Sequence, residues 1–130
     1  MEIYLDNAAT TKPSRKVIEV VTNSMERYYS NPSSLHKLGL ECEKQLDKCR
    51  EELAKTINCN KDEIYFTSGG SESNNLILRG LSKEGLNIIT TPFEHSSVKN
   101  TVSYLQKQGV DITYLPLDSK GFINIEELKK

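Results

Sequence analysis

The sequence predicts an α/β fold, in which helices wrap a parallel-rich sheet. Long segments repeat their apolar residues every three or four positions, which is typical of amphipathic helices. In the second half of the chain, short β-branched or aromatic runs at 64–67, 87–90 and 111–115 alternate with such helical segments. Because strands that alternate with helices pair in parallel, this order predicts a parallel sheet with helical connections.

The chain begins with a predicted arm and a first helix. Residues 3–5 are apolar and lead into the small, polar residues 6–11, which predicts an extended arm or loop. A helix is predicted from about Pro13 to about Tyr28, because proline suits a first helical turn and apolar residues follow at helical spacing. Residues 31–34, Asn-Pro-Ser-Ser, then interrupt the helical pattern.

A long amphipathic helix is the next predicted element. One face collects apolar residues, and charged residues fill the other face. The apolar positions are Leu35, Leu38, Cys42, Leu46, Cys49, Leu53 and Ile57. Both cysteines of this pattern are therefore predicted to be buried, where a thiol behaves as a small hydrophobic group.

Two further helices are predicted between the strands of the second half. A helix over 73–80 follows the first predicted strand through a glycine-rich turn. A second helix, defined by the spacing of Val98, Val102 and Leu105, lies between the second and third strands.

The last residues predict a helix that is only beginning. Asn124 and Glu127 have the spacing of an N-cap and its capping-box partner, and a new apolar face begins at Ile125. The chain ends at Lys130, so this helix is too short to be stable alone, and three strands are fewer than a typical sheet contains. We therefore expect the chain to be a fragment of a longer fold.

Composition narrows the class of protein. The 130 residues, the size of one domain at most, carry 17 basic and 18 acidic side chains, and their spread leaves no basic stripe for nucleic acid. No window has the apolar length of a membrane span, and the first residues lack the pattern of a signal peptide. The three cysteines are odd in number and contain no Cys-x-x-Cys pair, which predicts reduced thiols and no zinc site. A cytoplasmic protein is expected.

The turn between the first strand and the following helix carries the chemical signal. Residues 68–71, Ser-Gly-Gly-Ser, join a predicted strand to a helix N-terminus, where unpaired N–H groups and the helix dipole favour an anion. The spacing matches neither a P-loop nor a dinucleotide-binding fingerprint. Phosphate binding and a tight turn with an ordinary serine N-cap are both compatible with these residues.

Residues 66–75, Phe-Thr-Ser-Gly-Gly-Ser-Glu-Ser-Asn-Asn, resemble the Thr-Ser-Gly-Ala-Thr-Glu-Ser-Asn-Asn motif of the cysteine desulfurases of the class V aminotransferase superfamily. In that family the Ala-Thr pair binds the phosphate of pyridoxal phosphate. The resemblance implies that Gly70 supplies a backbone N–H and Ser71 a hydroxyl, since both replacements keep the donor. Residues 4–11 and 31–36 resemble two further family motifs in the same order, so the likeness covers the whole chain.

This resemblance implies the fold and reaction of the complete protein. Residues 1–60 correspond to the N-terminal arm and helices of the family's small-domain or arm region, and residues 61–130 to the start of the large domain of the fold type I pyridoxal-phosphate enzymes. The family implies a homodimer that converts L-cysteine to L-alanine. The sulfur passes as a persulfide to an acceptor such as an iron–sulfur scaffold protein, for iron–sulfur cluster or thiolated-cofactor synthesis.

The resemblance also implies roles for individual residues. His95 is similar to the family histidine that stacks on the cofactor ring and assists proton transfer, although it also reads as a loop residue beside a helix cap. Asn7, Ala8 and His36 are expected to line the substrate site. Lys37 follows His36 as in the family's Ser-x-His-Lys motif, but its context assigns it to the N-terminal motif and predicts a solvated side chain.

The remaining catalytic motifs of the family are absent from these 130 residues. They are the aspartate at the pyridine nitrogen, the cofactor-binding lysine, the carboxylate-binding arginine and the mobile-loop cysteine. None of Cys42, Cys49 and Cys59 is assigned the sulfur-accepting role, so the chain alone is expected to be inactive. Two alternatives stay open: a non-catalytic chain that binds a partner or completes a split enzyme, and a related pyridoxal-phosphate lyase or aminotransferase.

Overall fold

The computed structural model describes residues 3–83 and 85–129. The chain divides into two compact units, of which the first ends at Tyr65 and the second begins at Phe66. Among the described residues, no helix combines the length and the apolar character that crossing a membrane would need.

The first unit contains α1 (Arg15–Arg27) and α2 (Lys37–Ile57), followed by a short 3₁₀ helix (Lys61–Glu63). The predicted first helix is confirmed to within two residues at either end. Its N-cap is Ser14, whose hydroxyl accepts a hydrogen bond from the Val17 N–H at 3.3 Å, and this satisfies one of the unpaired donors of the first turn.

The long amphipathic helix is also confirmed, but its apolar face is only partly covered. Cys42 is 5% exposed and Ala54 is 3% exposed. Cys49 is only half-buried, and Leu53 and Ile57 are exposed. The prediction that both cysteines are buried is therefore wrong for Cys49, because helical spacing specifies a common face but not which neighbouring element covers it.

The first turn of α2 packs tightly against the Asn-Pro-Ser-Ser turn. Asn31 closes this turn by accepting hydrogen bonds from the Ser33 N–H (2.9 Å, to Oδ1) and the Ser34 N–H (3.0 Å, to the backbone carbonyl). Gly39 is buried beneath it, and a Cβ there would collide with the Ser34 carbonyl oxygen and lie 2.9 Å from the Asn31 carbonyl oxygen. Position 39 therefore needs a glycine for the close approach of two backbones.

A charged cluster joins the 3₁₀ helix to α2. The Lys61 Nζ lies 3.2 Å from Asp47 Oδ2 and 3.7 Å from Glu51 Oε1. Hydrogen bonds from Lys61 and Arg50 hold the pKa of Asp47 below its ordinary value, and the same bond to Asp47 raises the pKa of Lys61. These side chains are substantially exposed, so the cluster orients the segment more than it stabilises it.

The second unit contains α3 (Gly70–Leu81), β1 (Asn87–Thr90), α4 (Ser96–Lys107), β2 (Asp111–Tyr114) and α5 (Ile125–Leu128). The strands β1 and β2 pair in parallel, from Asn87 opposite Asp111 to Thr90 opposite Tyr114, which confirms the predicted parallel arrangement. The helix α4 connects them and packs on α3.

The core of the second unit lies around α4 and β2. Val102 is 1% exposed, Leu105 6%, Val110 8% and Leu115 6%. Val102 and Leu105 were predicted as the apolar face of α4, and Leu115 was predicted as the last residue of its strand. Leu115 follows β2 directly, and its N–H donates to the Thr90 carbonyl at 2.8 Å, so the pairing with β1 extends to it.

The prediction of a strand at 64–67 is wrong. Ile64 has an extended backbone (φ −97°, ψ 117°), but the sheet that the described residues form contains β1 and β2 alone. Tyr65 is 77% exposed and Phe66 is 49% exposed. β-Branched and aromatic residues favour an extended backbone, whereas a strand also needs the hydrogen bonds of a neighbour.

The helix predicted over 73–80 begins earlier, at Gly70, so residues 70–72 belong to its first turn. The C-terminal helix α5 forms where the sequence predicted it. The Asn124 side chain accepts from the Glu126 N–H at 3.0 Å, which makes Asn124 its N-cap. The backbone between β2 and α5 forms an antiparallel bridge from Leu117 to Ile123, which was not predicted.

Candidate active site at two helix N-termini

The helices α3 and α4 lie side by side with their N-termini at the same end. The Asn74 Nδ2 donates to Ser97 Oγ at 2.9 Å near both helix starts. Further along, the Arg79 guanidinium lies 5.0 Å from the centre of the Tyr104 ring. Since both contacts advance along the two helices together, the helices run parallel, and their positive dipole ends face the same region.

Side chains organise the turn that leads into α3. The Thr67 Oγ1 lies 2.7 Å from Ser73 Oγ and 3.2 Å from the Gly69 carbonyl oxygen. Glu72 reaches back to Ser68, whose N–H and hydroxyl both donate to Glu72 Oε2 at 2.6 Å. Side chains on either side of Gly69 and Gly70 therefore hold the turn in place.

The first turn of α3 can bind an anion. Its N-cap is Gly69, and within residues 3–83 and 85–129 no side chain caps it by a hydrogen bond. A Cβ at Gly69 or Gly70 would meet nothing within 4 Å, so the space beside these two Cα atoms is open. Ser71 borders a cleft of about 370 Å³ between α3 and α4. Open backbone N–H groups beside a hydroxyl are the donors that a phosphate group requires.

Glu72 was not singled out from the sequence, although it shapes this turn. Its two hydrogen bonds from Ser68, first from the hydroxyl and then from the backbone N–H, hold the pKa of the Glu72 carboxyl below its ordinary value of 4.5. The Glu72 carboxylate accepts its backbone hydrogen bond from the Ser68 N–H and not from the N–H groups of Gly70 and Ser71. The positions that the resemblance assigns to a phosphate therefore remain available beside it.

His95 is the N-cap of α4 and is exposed. Its Nδ1 accepts a hydrogen bond from the Ser97 N–H at 3.2 Å and lies 2.9 Å from Ser97 Oγ. Because Ser97 in turn contacts Asn74 on α3, His95 is connected to the helix that begins at Gly70. The structure thus brings Gly70, Ser71 and His95 to neighbouring helix starts.

A second polar contact joins the two helices behind this site. Thr101 is a buried polar residue, 6% exposed, and its hydroxyl lies 3.1 Å from Asn75 Oδ1 and 2.9 Å from the Ser97 carbonyl oxygen. The Asn75 Nδ2 donates to the Ser71 carbonyl at 2.9 Å. These supporting residues were missed, because sequence spacing does not show which polar side chains of two helices will meet.

The other predicted site residues belong to the first unit. Asn7 and Ala8 lie in a turn in which the Ala9 N–H donates to the Asp6 carbonyl at 3.2 Å. His36 is the N-cap of α2, and its Nδ1 accepts from the Gly39 N–H at 3.3 Å. The assignment of Asn7, Ala8 and His36 to a substrate site stays a prediction.

Lys37 is solvated, as predicted. It is the first residue of α2, its side chain is 89% exposed, and its Nζ lies 3.9 Å from Glu41 Oε1 at helical spacing. Within α2, Lys37 therefore has the surroundings of an ordinary surface lysine.

Comparison with known proteins identifies the family of this chain. Residues 3–130 match the aminotransferase class-V family. The chain belongs to this family. A cysteine desulfurase IscS of Dictyoglomus turgidum is 44% identical over 133 residues, which cover 99% of this chain and 34% of that protein.

Solved structures show the fold to which this chain is similar. A NifS-like protein superimposes with a TM-score of 0.92 at 39% identity, covering 99% of this chain and 36% of that one. A second structure, SspA in complex with cysteine, gives a TM-score of 0.85 at 33% identity, over 94% of this chain and 36% of that one. The chain thus has the fold of the N-terminal part of class-V aminotransferases of the NifS type, as predicted, and spans about a third of the length of these relatives.

Proposed function

We propose that the complete protein is a pyridoxal-phosphate-dependent cysteine desulfurase, which converts L-cysteine to L-alanine and passes the sulfur on as a persulfide. The observation that carries this proposal is the pair of adjacent helix N-termini, one offering amides and a hydroxyl at Gly70 and Ser71 and the other offering the His95 imidazole. The relatives named cysteine desulfurase support the choice of reaction.

The phosphate group of the cofactor is assigned to the start of α3. Gly70 would donate its backbone N–H and Ser71 its hydroxyl, with the positive end of the helix dipole behind them. The Glu72 carboxylate is turned back onto Ser68 at 2.6 Å, which keeps the first turn in shape. When bound, pyridoxal phosphate supplies an electron sink for bonds at the substrate α-carbon.

His95 is proposed as the residue that contacts the cofactor ring and moves a proton. An imidazole is suited to proton transfer because it titrates near neutral pH. Its position as the N-cap of α4, connected through Ser97 to α3, supports a fixed orientation relative to Gly70 and Ser71. We retain Asn7, Ala8 and His36 as proposed substrate-lining residues.

The substrate, partners and location follow from the same proposal. L-Cysteine is the proposed substrate, and a relative of this fold has been solved in complex with cysteine. We propose a homodimer that delivers sulfur to an acceptor such as an iron–sulfur scaffold protein. We propose a cytoplasmic location for the complete protein.

Product analysis with the full-length protein tests this reaction. Supplied with pyridoxal phosphate, L-cysteine and a thiol reductant, it should form L-alanine and sulfide in equal amounts. Pyruvate and ammonia in place of alanine would instead indicate a lyase, and a keto acid formed from an added amino acid would indicate an aminotransferase. Full-length protein that binds the cofactor and forms none of these products would overturn the proposed reaction.

A binding experiment tests the assignment of the phosphate site. We expect Ser71→Ala to weaken binding of pyridoxal phosphate by about tenfold, the effect of losing one hydrogen bond to a charged group, without changing the weaker binding of pyridoxal. Ser103→Ala on α4 is the matched control and should leave both affinities unchanged. If Ser71→Ala weakened both ligands equally, Ser71 would not be a phosphate ligand.

A further inference from the structure

The imidazole of His95 makes two contacts with one residue, Ser97. The Ser97 N–H donates to His95 Nδ1 at 3.2 Å, and the Ser97 Oγ lies 2.9 Å from the same nitrogen. A backbone N–H is always a donor, so Nδ1 must offer its lone pair and cannot carry a proton in this arrangement. The hydroxyl hydrogen of Ser97 then also points to Nδ1.

Asn74 fixes the direction of the serine hydroxyl. Its Nδ2 donates to Ser97 Oγ at 2.9 Å, which occupies one lone pair of that oxygen. Because His95 Nδ1 carries no proton in this arrangement, its 2.9 Å contact with Ser97 Oγ is a hydrogen bond that the serine O–H donates. A chain of donors therefore runs from the Asn74 amide through the Ser97 hydroxyl to His95 Nδ1.

We propose that Ser97, oriented by Asn74, is a positioning residue that holds the neutral His95 imidazole as its Nε2–H tautomer. With Nδ1 engaged as an acceptor, the single proton of the neutral ring lies on Nε2. His95 then presents a hydrogen-bond donor on the ring nitrogen that Ser97 does not contact. This inference deepens the proposed function, on which it rests for the role of His95, because it specifies which ring atom offers the proton.

His36 provides a comparison within the same chain. It is also a helix N-cap that accepts through Nδ1, from the Gly39 N–H at 3.3 Å. Glycine has no hydroxyl, so the second donor that Ser97 supplies to His95 has no equivalent on residue 39. The Nε2–H tautomer should therefore predominate at both histidines and be more complete at His95.

Nitrogen chemical shifts test the proposal directly. In full-length protein labelled with ¹⁵N at histidine, at about pH 9, where an ordinary imidazole is neutral, the shifts of the two ring nitrogens report the tautomer ratio. His95 should show Nε2–H, and Ser97→Ala should raise its Nδ1–H to Nε2–H ratio by about fivefold, the effect of losing one ordinary hydrogen bond. Ser97→Thr should restore the original ratio, and His36 should not change.

Several results would overturn this inference. A His95 proton found on Nδ1 in the wild-type protein would by itself overturn the inference. An unchanged ratio of Nδ1–H to Nε2–H in a folded Ser97→Ala variant would also overturn it. If that variant does not fold, Asn74→Ala must raise the same ratio, and an unchanged ratio there would overturn the inference. The measurement needs neither cofactor nor substrate, so its failure is distinct from a failure to form alanine.

Discussion

The helices α2 and α4 begin with the same kind of N-cap, but different contacts hold the two N-termini in place. Each is capped by a histidine that accepts a backbone N–H through Nδ1, at 3.3 Å for His36 and at 3.2 Å for His95. Behind His36, the backbone of the Asn-Pro-Ser-Ser turn lies against Gly39. Behind His95, the Ser97 Oγ accepts a hydrogen bond from Asn74 on the neighbouring helix.

This difference shows how one local signal serves two purposes. At the α2 terminus, close packing of two backbone segments leaves no room for a side chain at position 39, so steric fit determines this terminus. At the α4 terminus, hydrogen bonds between particular polar atoms hold His95 in place. This terminus stays accessible to solvent, because His95 is exposed. Substitutions in both units test this difference.

Adding a methyl group at Gly39 should be the most damaging change. Gly39→Ala places a Cβ against the Ser34 and Asn31 carbonyl oxygens, and neither can move without opening the turn. We expect a loss of about 2–3 kcal/mol in the free energy of unfolding, measured in urea. Gly80→Ala in α3 is the control, since its Cβ meets nothing within 4 Å, and it should be neutral or stabilising by up to about 1 kcal/mol. Equal effects would refute the packing argument.

Removing the buried hydroxyl between α3 and α4 should have the next largest effect. Thr101→Val keeps the side-chain shape and deprives Asn75 Oδ1 of a hydrogen bond at 3.1 Å. We expect a loss of about 1–2 kcal/mol in the free energy of unfolding. Thr56→Val on α2 removes an exposed hydroxyl that donates to the Leu53 carbonyl at 2.7 Å, and should cost about 0.5 kcal/mol or less. A larger loss at Thr56 would contradict the assigned importance of the network.

Truncating the two histidine caps compares the termini directly. His36→Ala and His95→Ala should each destabilise the first turn of their own helix by about 1 kcal/mol, as loss of an N-cap does. His95→Ala should have the larger effect, because it also removes the partner of the Ser97 hydroxyl. Amide hydrogen exchange of Gly39 and Ser97 measures each turn separately, and slower exchange after either substitution would be inconsistent with a capping role.

The smallest expected effect is a pH dependence due to Glu72. Because its pKa is lowered in the folded protein, its contribution is complete above its ordinary value of 4.5 and is lost as the pH falls through the lower folded value. The stability difference between the wild type and Glu72→Gln should therefore be present at pH 7 and vanish on acidification.

Unfolding measured at several pH values checks the Glu72 prediction. Asp47 also has a lowered pKa, but it is common to both proteins and cancels in their difference. A difference that stayed constant across the acidic range would show that the Glu72 charge is not responsible.

Much of the local structure follows from the sequence. Helical spacing and capping residues are properties of neighbouring positions, so α1, α2 and the start of α5 lie close to their predicted limits, and α4 contains the three residues that predicted it. The same holds for β1 and β2, whose apolar runs lie between turn residues. Gly70 and Ser71 were found from a turn signal together with a family resemblance, and their placement at a helix start agrees with that signal.

The remaining features depend on contacts between distant residues. The sheet that the described residues form does not include the 64–67 run, since strand pairing requires a second strand that the residues of the run do not encode. Cys49 lies on the predicted apolar face and is only half-buried, since burial depends on what covers that face.

The order of side chains along one backbone specifies the helical segments and the glycine-rich turn that precedes α3, because helical spacing and turn residues are local properties. The contact of Asn74 with Ser97 and the position of Gly39 beneath Ser34 depend on how the folded segments pack. Hydrogen bonds and close packing act over a few ångströms in space, whatever the separation along the chain.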